Sequence, residues 1–176
     1  MSDLWKPNVT VAAIVEGRGP RAGQYLMVEE ETRDGLRINQ PAGHLEPDES
    51  LIDATIRETL EETAHRFTPI GLLGIYLSRS IKTGRDEPVE AVTYLRFAFV
   101  GSVDEPIGGR RLDQGIVRAL WMTLDEVRAS RESHRSPMVL RCVEDRARDR
   151  ASGKPLASLA TLVADASALG AIAHVA

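Results

Sequence analysis

Between Gly43 and His65 the chain sets seven carboxylates, Glu46, Asp48, Glu49, Asp53, Glu58, Glu61 and Glu62, against a single arginine, Arg57. Glu58 and Glu62 are four residues apart and Glu58 and Glu61 three apart. On a helix those three side chains share one face of one turn, where like charges repel by roughly 0.2–0.5 kcal/mol per pair. One arginine cannot neutralise three carboxylates. A hard divalent cation suits clustered carboxylate oxygens best. The alternative for any Glu-Glu pair is a solvated, Glu-rich surface helix.

The element that must hold this cluster is a helix from Glu49 to Ala64, a run free of Gly and Pro. Asp48 and Ser50 are both N-cap types, and Ser50 with Asp53 matches a capping box. Leu51, Ile52, Ile56 and Leu60 supply an apolar stripe at helical spacing. Pro41-Ala42-Gly43 breaks the chain into a loop just before it.

The flanking segments read mainly as strands. Val9–Val15 is a continuous apolar, β-branched run, hence a buried strand. Gly17–Gly23 is a turn, Gln24–Glu30 the returning strand, Arg33-Asp34-Gly35 a second turn and Leu36–Gln40 a short strand. Beyond the helix, Ile70–Ser78 and Ala91–Val100 are strands joined by a polar loop over Arg79–Pro88. A loop over Asp104–Gly115 precedes a short strand, Val117–Met122. Thr123 caps a brief helix over Leu124–Ser130, and Ser136-Pro137 opens another that runs to about Arg150. This order fits a mixed sheet sandwiched by helices.

The full spacing narrows the chemistry. Gly43, Glu49, Arg57-Glu58 and Glu61-Glu62 fit G-x5-E-x7-R-E-U-x-E-E-x-G-U, with U a bulky apolar residue. That is the signature of the Nudix hydrolases, which the chain resembles. Thr59 stands where an aliphatic residue is usual, Ala64 replaces the Gly and His65 the last apolar residue. A left-handed residue ends many helices and is costly for Ala, so Ala64 implies a shifted helix end. His65 reads as a partly exposed helix-end histidine or a further metal ligand.

The resemblance implies an α/β/α sandwich and Mg²⁺- or Mn²⁺-dependent hydrolysis of a diphosphate. By position in the signature, Glu58, Glu61 and Glu62 are the expected metal ligands, with the Gly43 carbonyl as a further one. Arg57 is expected to pair with Glu49 and pin the loop to the helix. The general base is Glu58, Glu61, Glu62 or a carboxylate of the later loop, where Asp104, Glu105 and Asp113 are candidates. Spacing does not choose among them. Basic groups available for the substrate's phosphates are Arg37, Arg79, Lys82, Arg85 and Arg96, of which Arg37 and Arg96 fall on strands. Asn39 and Gln40 could hydrogen-bond a base, and Tyr76 could stack on one.

The subfamily marks of ADP-ribose and dinucleoside polyphosphate hydrolases are absent from the Ser80-Ile81-Lys82 window. The segments KPNVTVAAIVE, NQPAGHLEPDESL, YLRFAF, RSPMVLRC and SGKPL, collinear over about residues 6–157, are similar to the NudJ type of bacterial phosphatase. That likeness implies release of phosphate from 4-amino-5-hydroxymethyl-2-methylpyrimidine diphosphate and from nucleoside di- and triphosphates. A nucleoside triphosphate pyrophosphohydrolase of the MutT kind would release pyrophosphate instead. A non-catalytic Nudix domain usually loses signature carboxylates, whereas Glu49, Glu58, Glu61 and Glu62 are all present. A purely structural acidic domain would not respond to Mg²⁺.

Length and composition set the outer bounds. At 176 residues one domain is expected, over 1–157, with 158–176 a tail of unassigned role. Net charge is −4, which argues against a general nucleic-acid binder but not against an anionic substrate held through metal. Cys142 is the single cysteine, so no disulfide framework exists and a reducing cytoplasm fits. No signal-peptide core or membrane-length apolar run is present. The expected partner is a small diphosphate or nucleotide, with no nucleic acid and no membrane, and the chain a monomer or homodimer.

Overall fold

The structure is a computed structural model that describes residues 5–82 and 90–169. Among the described residues, seven strands form two sheets. A four-stranded mixed sheet has the order β4-β1-β6-β5, from β1 (Asn8–Val15), β4 (Ala42–His44), β5 (Phe67–Lys82) and β6 (Glu90–Val103). An antiparallel sheet of order β3-β2-β7 comprises β2 (Gln24–Thr32), β3 (Gly35–Asn39) and β7 (Ile116–Thr123). The single mixed sheet expected from the sequence is therefore two sheets, and only the four-stranded one is mixed.

From Val11 to Val15 β1 is apolar because both its faces are covered there and it runs parallel to β6. Val11, Ala13 and Val15 pack with Leu26, Ala54, Phe67 and Phe99 on the side of α1 (Leu51–Thr63). Ile14 faces the other way, toward Met27, Ile38, Val139, Cys142 and Val143. That second layer is closed by α2 (Leu124–Ala129) and α3 (Met138–Ala151). The two cores make the α/β/α sandwich. Cys142 is buried, and burial pushes its thiol up to about 11, which leaves it an inert core residue.

Three local expectations change. Ala42–His44 is not loop but a short edge strand antiparallel to β1. β5 continues through Arg79 to Lys82, paired with β6, where a loop was expected; Arg85 and the rest of that loop lie outside the described residues. Ala64 does not shift the helix end but takes up the left-handed conformation itself (φ 59°), its N–H bonded to Leu60 O. Leu159 and Leu162 pack on the α1-side core, and Ala157 pairs with Leu72.

Helix α1 begins as the sequence indicates, with Ser50 accepting from Asp53 N–H. Its buried face is not the Leu/Ile stripe but Ala54, Thr55, Thr59, Glu62 and Thr63. The threonines sit four residues apart, and each hydroxyl donates to the carbonyl one turn back. That bond satisfies the hydroxyl without a partner from the sheet. Leu51, Ile52 and Ile56 flank this face, partly buried.

Candidate active site

The carboxylates gather where β4 passes the middle of α1. Arg57 is the hub. Its guanidinium donates to both Glu49 oxygens at 2.9 and 2.7 Å, to Glu58 Oε1 at 2.9 Å, to Glu61 Oε2 at 3.1 Å and to the His44 carbonyl at 3.0 Å. The fork on Glu49 ties the loop to the helix, and Glu49 in turn accepts from Glu46 N–H. Arg57 holds the Glu49 carboxyl below its ordinary range. Pairing with Glu49 holds the guanidinium above its own.

Glu58 and Glu62 face the opposite situation. Burial pushes Glu58 up, against the pull of Arg57. Burial pushes Glu62 up to about 8, opposed by the Ala42 N–H that donates to its Oε2 at 2.8 Å and reinforced by Glu58, Glu30 and Asp113. These two carboxylates are kept in poor solvent beside other acids, so negative charge there is costly until something positive arrives. A Cβ on Gly43 would overlap the Glu58 carboxylate. Only glycine lets this backbone come so close to that acid.

Among the described residues, no three His, Cys, Asp or Glu side chains converge on one point as a ready cage. Glu58 and Glu61 lean toward Arg57, and Glu62 toward the Ala42 amide. The donor set nevertheless fits a hard cation: three carboxylates on adjacent turns, a backbone pressed against one of them, and one arginine already shared by four acids.

The remaining expected residues divide. Asp113 lies at the site: its N–H donates to Glu61 O at 2.9 Å, and its charge acts on Glu58 and Glu62. Asp104 and Glu105 instead line a cavity with Arg18, Arg21, His65 and Trp121. His65 is buried, not partly exposed, and does not reach the carboxylates; its Nδ1–H donates to Asp104 O at 2.6 Å. Arg96 is half-buried near Glu30 and Glu62, with one long bond, 3.4 Å, to Gln40 Oε1. Gln40 is fully buried and donates to Val139 O, so it braces α3 and is closed to a ligand. Asn39 donates to Glu30, and its Oδ1 is buried without a partner.

Arg37 donates to its own neighbour's carbonyl, lines a cavity with Leu36, Arg118 and Ser133, and is paired across the strands with Glu30, on the same face of the sheet. Tyr76 lies over Gly74 and packs with the α3-side core, its phenol held above its ordinary range by burial beside Cys142 and Asp145. Tyr76 does not face the carboxylates. Arg79 is exposed at the end of β5, and the Lys82 side chain lies outside the described ones. Glu30 is the acid that sequence reasoning missed. It lies on β2, well before α1 in the sequence, and its charge acts on Glu62.

A sequence profile of the NUDIX domain matches residues 6–142. The chain is 31% identical to Phosphatase NudJ of Escherichia coli (strain K12) over 144 residues, 80% of this chain and 86% of that one. Among solved structures, a NUDIX hydrolase from Nitrosomonas europaea is 46% identical, covers 91% of this chain and 98% of its own, and superposes with a TM-score of 0.74. The MutT protein from Methanosarcina mazei Go1, 21% identical with a TM-score of 0.58 over 87% of this chain and 100% of its own, shares the fold.

Proposed function

The chain belongs to the NUDIX hydrolase family and is a phosphoanhydride hydrolase, and from that premise we propose that it is a Mg²⁺- or Mn²⁺-dependent phosphatase that releases phosphate from small diphosphates. The substrates would be 4-amino-5-hydroxymethyl-2-methylpyrimidine diphosphate and nucleoside di- and triphosphates, by likeness to the NudJ phosphatases. The observation that carries the reading is Glu62, a buried carboxylate at a β4 amide among Glu58, Glu30 and Asp113. With Arg57 already taken, that arrangement calls for a cation.

Glu58, Glu61 and Glu62 would hold the metal, with the Gly43 carbonyl completing the set. The metal would neutralise the phosphate oxygens and acidify the attacking water. The chain's own groups do the rest. Glu49 and Arg57 fix β4, with Gly43, against α1, so the ligands would be set before substrate arrives. Arg96, with one long bond among the described residues, would donate to acceptors of the substrate. A carboxylate of the site would accept the water's proton, Glu58, Glu61, Glu62 and Asp113 being the candidates. One P–O–P bond is cleaved, one water is consumed, and phosphate leaves. A small-molecule substrate and a cytoplasmic site of action complete the reading.

A panel of diphosphates and triphosphates assayed with Mg²⁺ tests this by its products. Phosphate release, abolished by chelator, is expected. Pyrophosphate as the main product from nucleoside triphosphates would replace the reading with the MutT-like one. Full turnover in chelator would remove the metal assignment.

A further inference from the structure

Side chains alternate across a strand, and β4 uses that alternation at the site. A Cβ on Gly43 would run into Glu58 on the α1 side, so the neighbouring His44 points to the other face of the sheet. There its ring meets that of Tyr94, with centroids 6.3 Å apart and planes tilted by 53°. β4 and β6 flank β1, and Thr10 is in register with both His44 and Arg96. Thr10 therefore lies in the trough that the two rings border. It is 6% exposed, and its Oγ1 has no hydrogen-bond partner among the described residues. A buried hydroxyl left unpaired is destabilising; one beside an under-bonded guanidinium points to a ligand that completes both.

We propose that His44, Tyr94, Thr10 and Arg96 form a subsite for the organic group carried by the diphosphate, and that this group is a planar heterocycle with hydrogen-bond acceptors on its edge, the class of nucleobases and free pyrimidines. The proposal rests on the hydrolase reading and extends it. Rings of this kind stack on aromatic faces, and a guanidinium offers only donors, so it requires acceptors opposite. β4 is the outer strand of its sheet, so a ligand can lie across it. Its diphosphate then sits on the α1 side against Gly43, and its ring on the His44–Tyr94 platform one residue along. Tyr76, the aromatic group that sequence singled out, is packed under α3 and leaves this role to Tyr94.

The test compares CDP with ring-free tripolyphosphate on the full chain with Mg²⁺. In Tyr94→Ala the ratio of kcat/KM for CDP to that for tripolyphosphate should fall at least tenfold, and Tyr94→Phe should restore it. A merely structural role would lower both substrates together and leave the ratio unmoved; that outcome overturns the proposal, as does a ratio within twofold of the parent in both Tyr94→Ala and His44→Ala. Binding of CMP, followed by saturation-transfer NMR, gives a readout independent of turnover. If the parent hydrolyses neither compound, the hydrolase reading has failed, and CMP binding still decides the subsite. CMP held by the parent and lost in Tyr94→Ala supports it, and no binding by the parent overturns it.

Discussion

Arg57 touches four acids, Glu46, Glu49, Glu58 and Glu61, with Glu49 gripping both arms of the fork. A lysine has no fork to match, so Arg57→Lys is expected to lower kcat/KM by about tenfold or more, with a loss of about 1 kcal/mol in urea unfolding. Wild-type activity in that variant would show that the loop holds its place without the pin. Glu61→Gln and Glu62→Gln should each cut turnover at least ~100-fold with the circular dichroism spectrum unchanged; turnover within a few-fold of wild type in both would remove them as ligands. Glu62 also sets a pH dependence. Its folded value, about 8, lies above the ordinary 4.5, so the folded state holds the proton longer than the unfolded one. Stability of the metal-free protein should therefore fall as pH rises from about 4.5 to about 8 and level off above. Glu58 is shifted the same way, whereas Glu49 is shifted down and contributes stability that is lost only below its ordinary range. In Glu62→Gln the metal-free melting curve should flatten across that window. A slope equal to wild type would mean that Glu62 is ionised throughout.

At the scale of elements, α1 shows how far the sequence could be read and where it stopped. Its start at Ser50 and its length were legible, because capping chemistry and an unbroken run are local. Its buried face was not. Thr55, Thr59 and Thr63 look polar in a list but bond their own helix one turn back, so they can face the sheet as small side chains. The β4 strand was missed because three residues after a proline carry no periodicity; its evidence is the pairing with β1. The carboxylate cluster was legible from spacing alone, whereas Glu30, Arg96 and Tyr94 come together only through strand register, which a single sequence does not encode locally. Ala64 supplies a test. Ordinarily a buried Ala→Gly change in a helix costs about 1 kcal/mol, but a left-handed residue carries a backbone penalty of about 1–2 kcal/mol that glycine removes. Ala64→Gly should therefore leave stability within about 0.5 kcal/mol of wild type or raise it. A loss of 1 kcal/mol or more in urea would show that the methyl's packing outweighs the strain.

At the scale of the molecule, the two cores meet across β1, and the segment after α3 closes one side of the sandwich. Leu72 and Ala157 exchange backbone bonds at 2.9 and 3.0 Å, and Leu156 leaves no room for a side chain at Gly71. Leu156, Leu159 and Leu162 are partly buried against the cores. At about 1 kcal/mol each, a chain ending at Gly153 should lose about 3 kcal/mol, whereas one ending at Val163 should lose little. Equal stability of the two would mean that the bridge at Leu72 contributes nothing. The other end of the site is tied differently. Three contacts hang the 104–115 loop from α1 and the two residues after it: Asp113 N–H to Glu61 O, Ile107 N–H to Ala64 O, and His65 to Asp104 O. Slack in that loop is thus not independent of the helix. The amides of Ile107 and Asp113 should exchange with deuterium as slowly as those of the helix body, and any ligand that tightens the one will be felt as a quieter partner in the other.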